Sequence, residues 1–511
     1  MKSNKGKVYL VGAGPGDPGL ITVKGKECIE NADVIIYDYL AAPSLLGHAP
    51  GKAEMIYVGK KGGDHTLSQD GINALLVEKA SGGAVVTRLK GGDPFIFGRG
   101  GEEAEELVKA GIPFEVVPGV TSAIAASAYA GIPLTHRKFT ATLSLVTGHE
   151  DPEKEESNID WPAISKSGTL VFFMGVKNLP LIVRRLVECG RSEDTPVALI
   201  RWGTTPQQKT VTGTLKTIVD NVTAARLKSP SIIVVGEVVS LRETMQWFEN
   251  RPLFGKRMVI TRARSQASDL VKMLSDLGAN CMEAPSIRVC DADDYGPMDQ
   301  AITALSSYDW IVFTSVNGVT YFFDRLFSMG LDVRRLSTVK TACIGPATAK
   351  RLREFGLLSD IIPESYVAEA VVEAFKDQDM KGRRVLIPRA KEARAVLPVE
   401  LRNMGAVVDE VTAYQTLEVR DHADELIESL RSGSIDLVTF TSSSTVKNFA
   451  AVLPESEIKD LMNGVTVACI GPITAETAEK LGFKVDISAD TYTIQGLADA
   501  ILNYYAPEAK K

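Results

Sequence analysis

Short apolar runs alternate with a helical pattern along residues 7–119. Runs rich in β-branched residues, as is typical of strands, lie at 8–11, 33–38 and 84–88. Residues 67–79 instead carry apolar side chains at helical spacing, and Ser68 stands where it can cap the first turn. Strands that alternate with helices predict a mostly parallel α/β sheet.

A second lobe is predicted after residues 118–119, where Pro-Gly ends the first pattern. Its strand candidates are 143–147, 169–174, 197–201 and 231–235. The resulting boundaries are a first domain at 1–245 with lobes of about 1–118 and 119–245, a linker at 246–255, and a second domain at 256–511.

The second domain contains an internal repeat. Residues 255–263 recur at 382–390 and residues 309–315 at 436–442, both 127 positions later, and residues 342–349 recur at 468–475, 126 positions later. A period this long indicates a duplicated domain rather than a solenoid. Each copy has the pattern strand–helix–strand–helix, which predicts two similar parallel α/β lobes facing across a cleft.

Composition narrows the class of protein. The chain has 511 residues, 45% hydrophobic and 24% charged, with a net charge of −7. A negative net charge argues against general nucleic-acid binding, and an anionic substrate would need a local basic patch. The six cysteines are scattered without a C-x-x-C pair, so we expect neither structural zinc nor a disulfide framework.

No targeting or membrane segment is expected in this sequence. Residues 1–7 are basic but run straight into the first strand, without the apolar core of a signal peptide. No apolar run approaches the length of a membrane span. We therefore expect a cytoplasmic protein.

Two glycine-rich loops each follow a predicted strand, at residues 9–20 and 89–103. The first loop lacks the Gly-Lys-Ser/Thr of a phosphate-binding loop. It is also a poor dinucleotide fingerprint, because Asp17 replaces the third glycine and Pro15 removes an amide. Two such loops fit a ligand crevice at the carboxyl ends of parallel strands.

Four runs, at 11–17, 91–100, 117–122 and 131–137, resemble those of the uroporphyrinogen-III C-methyltransferases of the tetrapyrrole methylase family. They occur in the family's order and span most of residues 7–245. The resemblance implies S-adenosylmethionine as the methyl donor. The residues at matching donor-site positions are Pro15, Gly91, Gly92, Asp93, Ile96, Thr121, Ser122, Met174 and Gly203. For Ile96 and Met174 a place in the core is the alternative.

The acceptor implied by the resemblance is uroporphyrinogen III, whose carboxylates require cations. Arg99, His136 and Arg137 are the predicted contacts, and solvated surface charge is the alternative for each. Asp38 ends a predicted strand and resembles the family's proton acceptor, while Lys60 resembles its proton donor.

The second domain resembles uroporphyrinogen-III synthase, through its paired lobes and the runs 313–318, 413–416 and 470–475. The resemblance implies a flavodoxin-like bilobed unit with lobes of 256–290 plus 416–511 and of 293–412, and it places Tyr414 at the crossover. It also implies closure of hydroxymethylbilane, with loss of water and inversion of ring D, without a cofactor. The expected carboxylate-binding residues are Arg262, Thr314, Ser315, Thr441, Ser442 and Thr474. For the Thr-Ser pairs, helix capping is the alternative.

Together the resemblances predict a bifunctional enzyme that makes uroporphyrinogen III and methylates it at C2 and C7 to precorrin-2, as a homodimer through the methyltransferase half. Neither a metal nor a nucleic-acid or membrane partner is expected. The dehydrogenase–chelatase module of trifunctional sirohaem synthases is expected to be absent. The alternative is a methylase of another tetrapyrrole fused to a non-catalytic tetrapyrrole-binding module.

Overall fold

The computed structural model describes residues 6–59, 67–148, 158–261, 264–284, 287–363, 368–392, 395–418 and 423–506. The chain divides into two compact units, one of Met1–Arg257, Met273–Cys281 and Leu502–Lys511, the other of Met258–Lys272 and Met282–Ile501. No helix in the described part of the chain has both the length and the apolar character that crossing a membrane requires.

The described residues of the first half form ten strands and eight α-helices. The strands are β1 Lys7–Gly12, β2 Val34–Tyr37, β3 Glu54–Tyr57, β4 Val85–Lys90, β5 Phe114–Val117, β6 Leu143–Thr147, β7 Thr169–Phe173, β8 Pro196–Arg201, β9 Lys209–Thr214 and β10 Ser231–Val235. The helices are α1 Val23–Glu30, α2 Gln69–Ser81, α3 Gly100–Lys109, α4 Ser122–Tyr129, α5 Trp161–Ile164, α6 Leu179–Glu188, α7 Ile218–Ala224 and α8 Arg242–Met245.

The first lobe is a parallel sheet in the order β3-β2-β4-β1-β5. Its buried side chains alternate between two apolar layers, with Val34 and Ile36 in one and Ile35 in the other. As predicted, Ser68 caps α2, where its hydroxyl accepts a hydrogen bond from the Gly71 amide. All five strand carboxyl ends therefore meet at one edge of this sheet.

The second lobe is a mixed sheet in the order β6-β7-β10-β8-β9. Strand β10 is antiparallel to both β7 and β8, so these two strands run in the same direction and end at the same edge. The sequence pattern identified four of the five strands and missed β9, whose residues are half-exposed and polar.

In the part of the second half that the structure describes there are ten strands and eleven α-helices. The strands are β11 Arg257–Ile260, β12 Asn280–Glu283, β13 Ile287–Asp291, β14 Trp310–Phe313, β15 Lys340–Cys343, β16 Arg384–Ala390, β17 Val407–Glu418, β18 Leu437–Phe440, β19 Thr466–Cys469 and β20 Ile487–Ser488. The helices are α9 Arg264–Asp276, α10 Gly296–Thr303, α11 Val316–Ser328, α12 Pro346–Glu354, α13 Ala368–Phe375, α14 Val396–Asn403, α15 Ala423–Arg431, α16 Ser443–Val452, α17 Ile458–Leu461, α18 Pro472–Lys480 and α19 Ile494–Tyr505.

The sequence repeat appears as two sheets in which four consecutive strands correspond. One sheet is β12-β11-β18-β19-β20 and the other is β13-β17-β16-β14-β15. The repeated segments occupy matching places, since β11, β18 and β19 are neighbours in one sheet and β16, β14 and β15 in the other. The first order is that of flavodoxin-like folds. The predicted fold class, two α/β units with a bilobed flavodoxin-like second unit, is confirmed.

Strand pairing places the crossovers a few residues from the predicted lobe boundaries. Strand β13 runs to Asp291 and pairs antiparallel with β17, which runs to Glu418. The predicted boundaries at 290 and 416 therefore fall inside two paired strands of the second sheet.

Residues 246–255, predicted to be a linker, are packed against the first unit. The Trp247 indole donates to the Ala128 carbonyl at 3.0 Å, and Phe248 is 3% exposed. Glu249 accepts hydrogen bonds from Gln208 and Thr210 and pairs with Arg242. The segment contributes to the core of this unit rather than spanning open solvent.

In the full chain, Phe248→Ala is expected to lower the free energy of unfolding of the first unit by about 3 kcal/mol, because it empties a buried aromatic site. This corresponds to a fall in melting temperature of roughly 5–10 °C, measured by calorimetry. Leu181→Ala, at a side chain 40% exposed in the same lobe, is the control. Equal melting temperatures for the two variants would indicate that residues 246–255 are a linker and not part of the core.

Candidate functional site

Three strands of the first sheet converge through glycine at their carboxyl ends. A Cβ on Gly12 would lie 2.5 Å from the Gly119 Cα, and one on Gly119 would lie 2.3 Å from the Gly92 carbonyl oxygen. Gly14 and Gly92 exchange backbone hydrogen bonds of 3.2 and 2.7 Å. The two glycine loops identified in the sequence are therefore one structure, which any larger residue at these points would separate.

Gly91 and Gly92 serve different purposes. A Cβ on Gly91 would collide with the Leu40 Cβ at 2.4 Å, so only glycine at this position leaves room for the loop after β2. Gly92 has φ +69°, and the nearest atoms to a Cβ there would be 3.8 Å away. The face of Gly92 is therefore open to close approach, which suits a ligand lying against the main chain.

Asp93 organises the loop after β4. One carboxylate oxygen accepts from the Phe95 amide at 2.8 Å, and the other accepts from the Gly119 amide at 3.0 Å. The side chain thus connects this loop to the end of β5. The resemblance predicts Asp93 in the donor site, and each carboxylate oxygen retains a lone pair for a hydrogen bond from a ligand.

The other predicted donor-site residues lie in the loops after β1, β4, β7 and β8 and at the start of α4. Ile96 and Met174 are 38% and 51% exposed, so the alternative that they are core residues is wrong. Thr121 and Ser122 begin α4, and Pro15 lies in the first glycine loop. Gly203 follows β8, and a Cβ there would lie 2.2 Å from that of Ala126 in α4.

Left-handed backbone conformations concentrate in the loops of this site. Six non-glycine residues in the described ranges have positive φ, and all but Arg226 follow β4, β7 or β8: Phe97, Arg99, Met174, Trp202 and Thr204. Such conformations cost free energy and are common at active sites and ligand-binding loops. Residue type alone carries no signal for this strain, and Trp202 and Thr204 were not found by the sequence analysis.

Side chains from the two lobes of the first unit meet beside the glycine loops. The rings of Phe97 and Phe173 have centroids 5.0 Å apart, and those of Tyr39 and Trp202 are 6.4 Å apart. The Tyr129 hydroxyl donates to Asp17 at 2.6 Å. Burial, and then this hydrogen bond, raise the pKa of Tyr129, which keeps it a neutral donor. The first glycine loop is thereby fixed to α4.

A buried ionic cluster lies at the ends of β2 and β4. Glu103, fully buried on α3, accepts from Lys90 at 2.6 Å and from the Arg88 Nε at 3.3 Å. The Arg88 Nη2 lies 3.3 Å from Asp38, the predicted proton acceptor. The pKa of the Lys90 ammonium is lowered, first by burial and then by Arg88, and Glu103 opposes both effects. Of this cluster, only Asp38 was assigned a role from the sequence, and Glu103 carries no motif of its own.

Of the predicted substrate-binding residues, Arg99 and Arg137 are exposed and His136 is half-buried. Arg99 forms two hydrogen bonds with Glu102, of 2.9 and 2.6 Å. The His136 Nδ1 accepts from the Lys138 amide at 3.3 Å, and Arg137 is exposed. Lys60, the predicted proton donor, lies outside the described residues, as does Arg262 in the second half.

Tyr414 lies on β17 with its hydroxyl 3.0 Å from that of Ser315. The residue is 8% exposed, and its ring stacks on Tyr321 with a centroid separation of 5.5 Å. Burial raises the pKa of the Tyr414 phenol, and the Ser315 hydrogen bond partly offsets this. The phenol is thus held neutral and aimed at the end of β14. Tyr321 was not found by the sequence analysis.

The repeated Thr-Ser pairs follow β14 and β18. Ser315 caps α11 through the Gly318 amide at 2.9 Å, and Ser442 caps α16 through the Thr445 amide at 3.3 Å. The capping alternative therefore holds for both serines. Thr314 and Thr441 are half-buried beside them, and Thr474 is 5% exposed within α18.

The fold and these sites define a chain of two α/β enzyme units, the first with a glycine-lined crevice at parallel strand ends. Family models match both halves: Tetrapyrrole (Corrin/Porphyrin) Methylases at residues 7–219 and Uroporphyrinogen-III synthase HemD at residues 268–499. The chain belongs to the tetrapyrrole methylases through its first half and to the uroporphyrinogen-III synthases through its second.

Relatives match the whole chain and its first half. A "Porphyrin biosynthesis protein HemD" of Ruminiclostridium josui is 40% identical over 97% of this chain and 98% of its own. An "S-adenosyl-L-methionine-dependent uroporphyrinogen III methyltransferase" of Methanosarcina barkeri is 52% identical over 48% of this chain and 96% of its own. Among solved structures, a uroporphyrin-III C-methyl transferase from Thermus thermophilus, complexed with S-adenyl homocysteine, is 38% identical. It covers 46% of this chain and 100% of its own, with a TM-score of 0.40.

Proposed function

We propose that this protein performs two consecutive steps of tetrapyrrole synthesis. Its second half closes hydroxymethylbilane to uroporphyrinogen III, with inversion of ring D and loss of water. Its first half methylates that product at C2 and C7 to precorrin-2. The observation that carries the proposal is that both families are present in one chain, with a relative that matches 97% of it.

The crevice of the first half suits S-adenosylmethionine. When bound, this donor supplies an electrophilic methyl group on a sulfonium. The open face of Gly92 allows the donor to lie against the main chain, and Asp93, Thr121 and Ser122 offer polar groups around it. Pro15, Gly91, Ile96, Met174 and Gly203 complete the proposed set. Exposed Ile96 and Met174 give the crevice apolar walls without belonging to the core.

Asp38 is the proposed proton acceptor for the hydrogen lost from the methylated carbon. Its side chain is 22% exposed and lies 3.3 Å from Arg88, and its other oxygen accepts from the Leu40 amide at 3.1 Å. Both contacts hold the carboxylate at the edge of the sheet. Arg99, His136 and Arg137 are the proposed contacts for substrate carboxylates, and Lys60 is the proposed proton donor.

In the synthase half, Tyr414 is the proposed donor to the departing hydroxyl. Its raised pKa keeps the proton on the phenol at neutral pH, as that role requires. Thr314, Ser315, Thr441, Ser442 and Thr474, together with Arg262, are the proposed contacts for carboxylates. Backbone amides at the starts of α11 and α16 provide further hydrogen-bond donors beside the two Thr-Ser pairs. No cofactor is proposed for this half.

Purified protein supplied with hydroxymethylbilane is expected to form uroporphyrinogen III, and to continue to precorrin-2 when S-adenosylmethionine is added. Chromatography that resolves the isomers measures the first step, and the absorbance of oxidised precorrin-2 measures the second. Formation of the uninverted isomer alone would indicate that the second half is a non-catalytic tetrapyrrole-binding module. Failure to methylate supplied uroporphyrinogen III would indicate a methylase of another tetrapyrrole.

Assembly and location are part of the proposal. We expect a cytoplasmic homodimer formed through the methyltransferase half, without nucleic-acid partners. Sedimentation of the purified protein at several concentrations tests the dimer, because a constant mass near that of one chain would contradict it.

A further inference from the structure

We propose that Glu103 is a positioning residue of the methyltransferase site, which acts with Lys90 through Arg88 to set the charge around Asp38. The inference rests on the proposed methyltransferase function, in which Asp38 accepts the proton. Neither Glu103 nor Lys90 is proposed to touch the substrate, so both act through Arg88.

The geometry forms a chain of contacts from the interior to the edge of the sheet. One Glu103 oxygen accepts from Lys90 at 2.6 Å, from the Arg88 Nε at 3.3 Å and from Gln69 at 3.4 Å. The far end of the same guanidinium reaches Asp38 at 3.3 Å. Side-chain exposure rises along the chain of contacts, from 0% at Glu103 to 4% at Arg88 and 22% at Asp38. The guanidinium therefore transmits the orientation set by a buried carboxylate to an accessible one.

The Arg88 guanidinium is also fixed by the backbone. Its Nη1 donates to the Ile36 and Leu89 carbonyls at 3.4 and 3.1 Å, on strands β2 and β4. Rotation of Arg88 towards or away from Asp38 would break these bonds. The fork geometry of a guanidinium suits such a bridge, which the point charge of a lysine could not supply.

Stability alone does not account for this cluster. Buried ion pairs give little net stabilisation against apolar residues of similar volume, because the charges must be desolvated. The second Glu103 oxygen is buried with no hydrogen-bond partner among the described residues, which adds to the cost. A cluster that is costly to bury and adjoins a candidate catalytic carboxylate is best explained by its effect on that carboxylate.

The charges of the cluster balance. Arg88 and Lys90 on β4 face Glu103 from α3 and Asp38 from the end of β2, and α2 contributes the neutral Gln69. Removal of the Glu103 charge leaves an excess cation beside Asp38, which favours its carboxylate form and makes it a weaker base. Removal of the Lys90 charge has the opposite effect.

The test uses the full chain and the pH dependence of kcat for methylation of supplied uroporphyrinogen III. Glu103→Gln is expected to lower kcat roughly tenfold at pH 7. Its acidic limb is expected to shift to lower pH by about one pH unit. Lys90→Met should shift the limb to higher pH by a similar amount. The Lys90→Met/Glu103→Gln double variant restores the balance and should return the limb to that of the wild type, a rescue that loss of structure cannot produce.

Glu106→Gln is the matched control, since Glu106 lies on the same helix in an exposed pair with Lys109. Its profile should match that of the wild type, and donor affinity by calorimetry should stay within about twofold in all variants. An unshifted limb in Glu103→Gln, or no return in the double variant, overturns the inference. If Glu103→Gln is insoluble, the inference is tested by Lys90→Met alone, and an acidic limb of kcat that does not shift to higher pH in that variant overturns it. A wild-type chain that methylates nothing would instead overturn the proposed function.

Discussion

Asp93→Ala is expected to weaken S-adenosylmethionine binding at least roughly 100-fold and to remove measurable methylation. The variant loses two backbone hydrogen bonds to a carboxylate, from Phe95 and Gly119, each worth about 1.5–3 kcal/mol. With both gone, the loop after β4 is no longer held against the end of β5. Isothermal calorimetry with the donor measures the affinity, and the methylation assay measures the rate.

Two further variants separate the reasons for this loss. Asp93→Asn keeps an acceptor for one of the two amides, so an intermediate loss of about tenfold is expected. Asp160→Ala removes a carboxylate that caps α5 through the Ala163 amide at 3.0 Å, and donor affinity should not change. Synthesis of uroporphyrinogen III should be unaltered in all three. Donor affinity in Asp93→Ala equal to that of the wild type would remove Asp93 from the site.

Tyr414→Phe is expected to slow formation of the inverted isomer roughly 10- to 1,000-fold, the range of one acid–base contact. The raised pKa of the phenol keeps it protonated, and the Ser315 hydroxyl, 3.0 Å away, holds its direction. Spontaneous closure gives the uninverted isomer, so lost catalysis should also change the product. Chromatography of both isomers over time measures rate and ratio together. Methylation of supplied uroporphyrinogen III should stay at the wild-type rate.

Tyr308→Phe provides a close control for this variant. Tyr308 is buried in the same apolar cluster, and its hydroxyl donates to Asp409 at 2.7 Å, which, after burial, helps to raise its pKa to about 12. Both substitutions remove one buried hydroxyl, so both should destabilise the lobe by about 1 kcal/mol. Only Tyr414→Phe should change the isomer ratio. Equal ratios in the two variants would leave Tyr414 as a packing residue.

Local patterns were sufficient to find most strands of the first half and the helix α2. The strands at 33–38 and 84–88 are contiguous β-branched runs, and Ser68 caps the helix that its position predicted. The polar strand β9 and the packed segment at 246–255 were missed. Both depend on partners distant in the chain, as when Trp247 donates to Ala128, and no local pattern encodes such partners.

The sequence by itself determined the domain organisation of this protein and its main motifs. It indicated two α/β halves, a duplicated second half, and glycine loops that belong to a known methylase pattern. These features are carried by residue type and spacing, which the chain displays directly. The tertiary structure decided what each residue does within them. It connected the ends of β4 and β5 through Asp93 and gave Ser315 and Ser442 a capping role. It joined Glu103 to Asp38 through Arg88. Such roles follow from which distant backbones and charges meet in the folded chain, and burial then determines the energy of each contact.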